Sequence, residues 1–209
     1  MPTRPSAARM TRFYNQIGTR GWQNSDYFTF SARSPAYRRW LASQLGTRRL
    51  QILSVGCGTG ELEKHLSDLH HRVFGLDPSQ QMLQRARENG VERLVQADAL
   101  HLPFAEASFA VVMFVESIGY LRLPTAFEEA LRVLRANGRV FVTTYSGNVE
   151  VHASYAKLGL DEITSSLKAA GLPAADHRFL NAKRSSVSEV PSDDESNVLI
   201  VSARKPRQA

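Results

Sequence analysis

Between residues 50 and 204 short apolar runs alternate with stretches whose apolar positions recur every three or four residues. The runs predict strands near 51–55, 72–76, 93–97, 109–115 and 139–145. The stretches between them predict helices near 60–69, 79–89 and 124–136. Asp161 reads as the cap of a last helix containing Ile163 and Leu167 and closed by Gly171. Two more strands are expected near 176–180 and 197–204, joined by a Ser-, Asp- and Glu-rich link from Asn181 to Asn197 that reads as a loop. Strands alternating with helices imply parallel strand–helix–strand units in one α/β layer structure. Upstream, Ser34-Pro35 opens a helix through Tyr37, Trp40, Leu41 and Leu45, with Gly46 as its stop. Thr11 to Gly18 is a short amphipathic piece, and Trp22, Tyr27, Phe28 and Phe30 make the stretch between aromatic-rich. Residues 1–49 therefore read as a small helical cap and 50–209 as the core.

The chemistry concentrates where the first strand ends. Leu53-Ser54-Val55-Gly56-Cys57-Gly58-Thr59-Gly60 places three glycines at alternate positions between a strand and a helix. Glycine lets backbone pass against a ligand, and the helix start offers free N–H groups and a positive dipole end. A dinucleotide fingerprint needs G-x-G-x-x-G and a phosphate loop needs G-x-x-x-x-G-K-[ST]; neither is present. The second strand ends in Asp77, whose carboxylate can accept two hydrogen bonds from a ribose diol. The third is followed by Asp98 and the fourth by Glu116. Four separate stretches thus converge at the carboxyl edge of an open sheet, where such folds bind ligands.

This ordered set over roughly residues 50–145 resembles class I S-adenosylmethionine (SAM) dependent methyltransferases, of the small-molecule, type 11-like branch. The resemblance implies a Rossmann-like, doubly wound seven-stranded sheet of order 3-2-1-4-5-7-6 with the last strand antiparallel. It implies SAM as cofactor and S-adenosylhomocysteine as product, held by Gly56, Cys57, Gly58, Gly60, Asp77, Pro78, Met82, Asp98, Ala99 and Glu116. Tyr14 is a candidate to close over the methionine end. Many relatives carry an acid where this chain has Ser54, so the first motif is expected to lack a charge. Catalytic candidates are Glu116, His152 and Tyr155, each with a plain packing or loop role as the alternative. SAM carries an activated methyl group, so alignment is the main requirement and a general base is optional.

Composition narrows the partners. The nine arginines of residues 1–49 stand against one acid, Asp26, a net of +8, while the remainder of the +6 chain is slightly acidic. That asymmetry suits an anionic small-molecule acceptor or a merely solvated cap. A nucleic-acid partner is not expected, because a dense basic run and a recognisable binding module are both missing. No apolar run approaches a membrane span, no signal-peptide core is evident, and a single cysteine fits a reducing cytoplasm. Cys57 reads as a small packed side chain rather than a nucleophile, and no histidine–acid spacing suggests a metal site. The leading expectation is methyl transfer to O, N or C of a small molecule. A SAM-binding module without turnover and a methyltransferase acting on a macromolecule are the alternatives.

Overall fold

The computed structural model describes residues 11–16, 30–146, 155–181, 186–189 and 197–207. Among these residues eight strands form one sheet of order β3-β2-β1-β4-β5-β8-β6-β7. They are β1 (Gln51–Val55), β2 (Arg72–Asp77), β3 (Leu94–Gln96), β4 (Phe109–Val115), β5 (Leu134–Ser146), β6 (Ala174–Asn181), β7 (Ser186–Ser188) and β8 (Asn197–Arg204). The five strands β1 to β5 pair in parallel, and β8 runs antiparallel between β5 and β6. The helices are α1 (residues 11–16), α2 (Phe30–Arg33), α3 (Pro35–Leu45), α4 (Glu61–Asp68), α5 (Gln80–Glu88), α6 (Leu123–Val133) and α7 (Leu160–Ala169). No helix among the described residues is long and apolar enough to cross a membrane.

The central strands are apolar almost throughout because both faces are covered. Alternation along each strand divides the core in two. Leu53, Val55, Val112, Phe114, Val140 and Val142 face the side closed by α6 and α7. Ile52, Val111, Met113, Phe141, Val198 and Ile200 face the side closed by α3 and α4. Trp40 on α3 stands edge-on to Phe141 of β5, with ring centroids 5.9 Å apart.

Several expectations are met. Ser34 caps α3 with its hydroxyl accepting from the Tyr37 N–H, Gly46 ends that helix, and Ser79 caps α5. Others need correction. The sheet has an eighth strand, because β7 adds an antiparallel edge to Phe179–Asn181 inside the link read as a loop. Asp161 does not cap α7; Gly159 does, and Asp161 lies in the first turn, where an acid favours the helix dipole. The cap is not wholly an appendage either. Tyr37, Leu41 and Leu45 of α3 are core residues of the main sheet.

Two of the N-terminal arginines serve this docking. Arg33 pairs with Glu61 at 2.7 Å, and Arg38 donates to the carbonyls of Ala32 and Glu61 at 2.7 and 3.3 Å. Leu41 is 0% exposed, so Leu41→Ala should cost about 2–5 kcal/mol of stability through lost burial and a residual cavity. Urea denaturation measures this; a loss below about 1 kcal/mol would show that α3 is a detachable cap.

Candidate functional site

Strand order reverses beside β1, between the β2 and β4 sides, and the glycine turn leaves β1 at that point. Gly56, Gly58 and Gly60 all take positive φ, at 75°, 54° and 78°. Two of them are fixed by crowding as well. A Cβ on Gly56 would stand 2.5 Å from the Ser117 Cβ, and one on Gly60 would stand 2.6 Å from Val91 and 2.9 Å from Ala86. At Gly58 the same atom would meet open space, so there the constraint is backbone conformation alone. The Ser117 hydroxyl closes the turn from the β4 side, donating to the Val55 carbonyl at 2.6 Å. Cys57 packs its sulfur over Gly75, and burial pushes its thiol well up, as an inert small side chain requires.

Asp77, at the end of β2, is buried and joins two elements. Its Oδ2 accepts from the Gly58 N–H at 3.0 Å and its Oδ1 from the Ser79 N–H at 2.9 Å. Burial raises its carboxyl to about 6, against the pull of those two donors. Each oxygen keeps a further acceptor site. Pro78 is half-buried, with its carbonyl accepting from the Gln96 side chain at 3.2 Å. Asp98 follows β3, half-buried, with Oδ1 accepting from the Leu100 N–H at 3.0 Å, and Ala99 beside it is buried. Met82 lies within the first turn of α5, 1% exposed, so its side chain is mainly packing.

The catalytic candidates fare differently. Glu116 leaves β4 with φ 54°, an uncommon conformation for a side-chain-bearing residue. Its carboxylate accepts from the Ser31 N–H of α2 and from the Tyr145 hydroxyl of β5, both at 2.7 Å. Glu116 therefore fastens the N-terminal segment to the sheet, so the plain alternative of a solvent-facing loop acid does not hold. Tyr155 is also buried, sharing a 2.9 Å hydrogen bond with Thr144, and burial raises its phenol. Its oxygen is thus engaged in a structural bond, and burial favours the protonated phenol. His152 lies outside the described residues.

A chain of edge-to-face rings runs beside these groups: Tyr14 with Tyr120 at 5.6 Å, Tyr120 with Tyr155 at 4.8 Å, and Tyr155 with Tyr145 at 5.3 Å. Tyr14 also hydrogen-bonds Tyr120 and feels the charge of Asp77, while Asn15 accepts from the Ser79 hydroxyl at 2.7 Å. Helix α1 is thus seated over the β2–α5 corner of the crevice.

The sequence pattern missed Glu63. This α4 residue is 2% exposed, hydrogen-bonded with Ser54, and raised by burial to about 7. The available signal was position: an acid between Leu62 and Leu66 on the apolar stripe of a helix. Among the described residues no three His, Cys, Asp or Glu side chains gather as a metal site.

Known proteins share this architecture. Residues 53–142 match the family described as Methyltransferase domain. The malonyl-[acyl-carrier protein] O-methyltransferase of Erwinia pyrifoliae is 34% identical over 145 residues, which cover 63% of this chain and 55% of that protein. The chain spans about half the length of most of the curated relatives it matches. Among solved structures, a 1,6-didemethyltoxoflavin-N1-methyltransferase from Burkholderia thailandensis, bound to its substrate and S-adenosylhomocysteine, superposes with a TM-score of 0.73 at 20% identity, covering 96% and 88% of the two chains. The [4+2]-cyclase SpnF superposes at 0.76 with 18% identity over 100% and 99%. The fold is the one these solved structures share. The match to the methyltransferase domain family covers residues 53–142 of the 209.

The buried carboxyls set a pH dependence. Glu63 rises from an ordinary 4.5 to about 7 and Asp77 from 3.8 to about 6. A carboxyl raised in the folded state holds its proton more tightly there than in the unfolded chain. Its contribution to stability is complete below the ordinary value and lost as pH rises through the raised one. Stability of the ligand-free protein should therefore fall between about pH 4 and about pH 7. Glu63→Gln, which mimics the protonated side chain, should melt above wild type at the upper pH and level with it at the lower. Parallel thermal melts check the sign; a variant melting below wild type at the upper pH would contradict it.

Proposed function

We propose that this protein binds SAM in the glycine-turn crevice and transfers its methyl group to a small-molecule acceptor. The observation that carries the reading is the joint placement of the turn, Asp77 and Asp98 at successive strand ends beside the switch in strand order. In this reading Asp77 holds the ribose diol with its remaining acceptor sites, and Asp98 with Ala99 meets the adenine. Pro78 and Met82 flank that base, and Gly56, Cys57, Gly58 and Gly60 bring backbone to the methionine end. The N-terminal segment covers the acceptor side, with Tyr14 and the tyrosine chain as its wall. The solved Burkholderia protein with substrate and S-adenosylhomocysteine together supports a small acceptor. An acceptor at O, N or C fits equally, and an anionic one would use the N-terminal arginines. The single cysteine suits a cytoplasmic setting.

A second reading has a specific observation behind it. The [4+2]-cyclase SpnF shares this fold over its whole length, so the architecture alone does not entail methyl transfer. A SAM-binding protein without transfer would bind the cofactor and turn over no acceptor in a broad panel.

Calorimetry should show binding of SAM and S-adenosylhomocysteine and none of NAD; the reverse would reject the assignment. Asp77→Asn should weaken S-adenosylhomocysteine about ten- to a hundred-fold, the loss of one or two charge-assisted hydrogen bonds. Unchanged affinity in a folded variant would remove Asp77 from the ribose site. Deleting residues 1–16 should spare most cofactor affinity and abolish transfer by uncovering the acceptor. Full turnover by the shortened protein would place the acceptor site entirely on the sheet.

A further inference from the structure

Ser54 leaves the glycine turn without an acid of its own, yet an acid is present nearby. Ser54, 1% exposed, points to the face of β1 that α4 covers, the same face as Ile52. There its hydroxyl is the hydrogen-bond partner of the Glu63 carboxyl. Glu63 is the third residue of an eight-residue helix that starts directly after the turn, where the helix dipole favours a negative side chain. Facing it from α3 is Tyr37, 0% exposed, whose hydroxyl has no hydrogen-bond partner among the described residues and which feels both Glu63 and Glu116. Asp77 on β2, Cys57 in the turn and Glu61 on α4 complete the ionisable groups around it. Among the described residues no Lys, Arg or His lies within ion-pair distance of Glu63 or Asp77.

Buried carboxyls are ordinarily paired with cations, and an unpaired one is costly to keep. A buried acid behind a ligand-binding turn, beside an unsatisfied phenol, calls for a positive group that arrives with the ligand. We propose that Glu63, held by Ser54 behind the glycine turn, is a positioning residue that supplies the counter-charge for the ammonium of the cofactor's methionine end. This rests on the SAM reading above. Many members of the family this chain resembles place the acid on the strand; here the strand supplies the hydroxyl and the helix the acid. Glu63 acts through the turn and through Ser54, fixing where the methionine end, and with it the sulfonium, comes to rest. Its proton passes to solvent as the ammonium docks, and no other bond changes.

The test is calorimetric titration with S-adenosylhomocysteine at about pH 6, 7 and 8, each in two buffers of different ionisation heat. Wild type, Glu63→Gln, and the exchange Ser54→Asp with Glu63→Ser are compared after melts establish that each is folded. Wild-type affinity should rise with pH, by at most about tenfold per unit for one proton, with proton release on binding at the lowest pH. Glu63→Gln should bind about tenfold more weakly at the highest pH, with proton release reduced to what Asp77 leaves. The exchanged pair should recover most of the lost affinity. Glu63→Gln with wild-type affinity and proton release would overturn the proposal. So would equal weakening at every pH with proton release unchanged, because the carboxyl would then only shape the turn. A folded exchange variant that recovers nothing would overturn it too. Wild-type protein giving no heat with S-adenosylhomocysteine would reject the cofactor reading itself, a failure visible before any variant is compared.

Discussion

The crevice depends on one carboxylate reaching in two directions. Asp77 takes the Gly58 N–H from the turn after β1 and the Ser79 N–H from the start of α5. Each bond satisfies a backbone donor at a strand-to-helix junction. Together they lock two adjacent junctions into one rim. The glycine turn has three consecutive alternate residues at positive φ, a conformation with large entropic cost when unsupported. Asp77 on one side and Ser117 on the other hold it. Burial raises Asp77 because desolvation outweighs the two donors, so the rim stores an acid whose charge a polar ligand would stabilise.

The N-terminal segment is fastened at chemically distinct points. Leu41 and Leu45 of α3 are buried as an ordinary core layer. Glu116 receives the Ser31 N–H, tying α2 to the end of β4, and Arg33 with Glu61 ties it to the start of α4. Asn15 and Tyr14 seat α1 on the β2–α5 corner. The apolar layer is permanent structure, whereas the polar ties cluster at the carboxyl edge. A segment held in this way is anchored at one end and contributes to the crevice at the other.

The sequence was most readable where chemistry and period agreed. Strands such as Phe109–Val115 are apolar on both faces because helices cover both, and that run is visible without any partner. The three glycines and the acids after successive strands were equally plain, since each sits at a junction. What was not readable depended on packing between distant segments. Ser186-Val187-Ser188 carries too little alternation to announce an edge strand and becomes one only beside Phe179–Asn181. Asp161 looked like a cap because a cap and a first-turn acid share the same preference near a helix start. Glu116 was visible as an acid after β4, but its partners Ser31 and Tyr145 lie 85 and 29 residues away. Glu63 was hidden for the same reason: Ser54 announced a missing charge, and only the register of α4 on β1 brings one back.

These attachments also constrain what chemistry the crevice can perform. Two of the acid–base candidates, Glu116 and Tyr155, have oxygens engaged in bonds that hold secondary elements together. Using either as a base would require breaking a structural contact in every turnover, and Tyr155 is further opposed by a phenol pushed upward by burial. A reaction whose electrophile arrives already activated does not need such a base. Holding nucleophile and methyl carbon in line contributes on the order of 7–11 kcal/mol in well-oriented cases, more than general-base assistance typically supplies. Alignment requires rigid walls, and the described residues provide them: a turn fixed by sterics, a rim locked by Asp77, and tyrosine rings packed edge to face. The polar groups at the edge thus act mainly by holding surfaces still, and under the proposed methyl transfer that would be the larger share of the work.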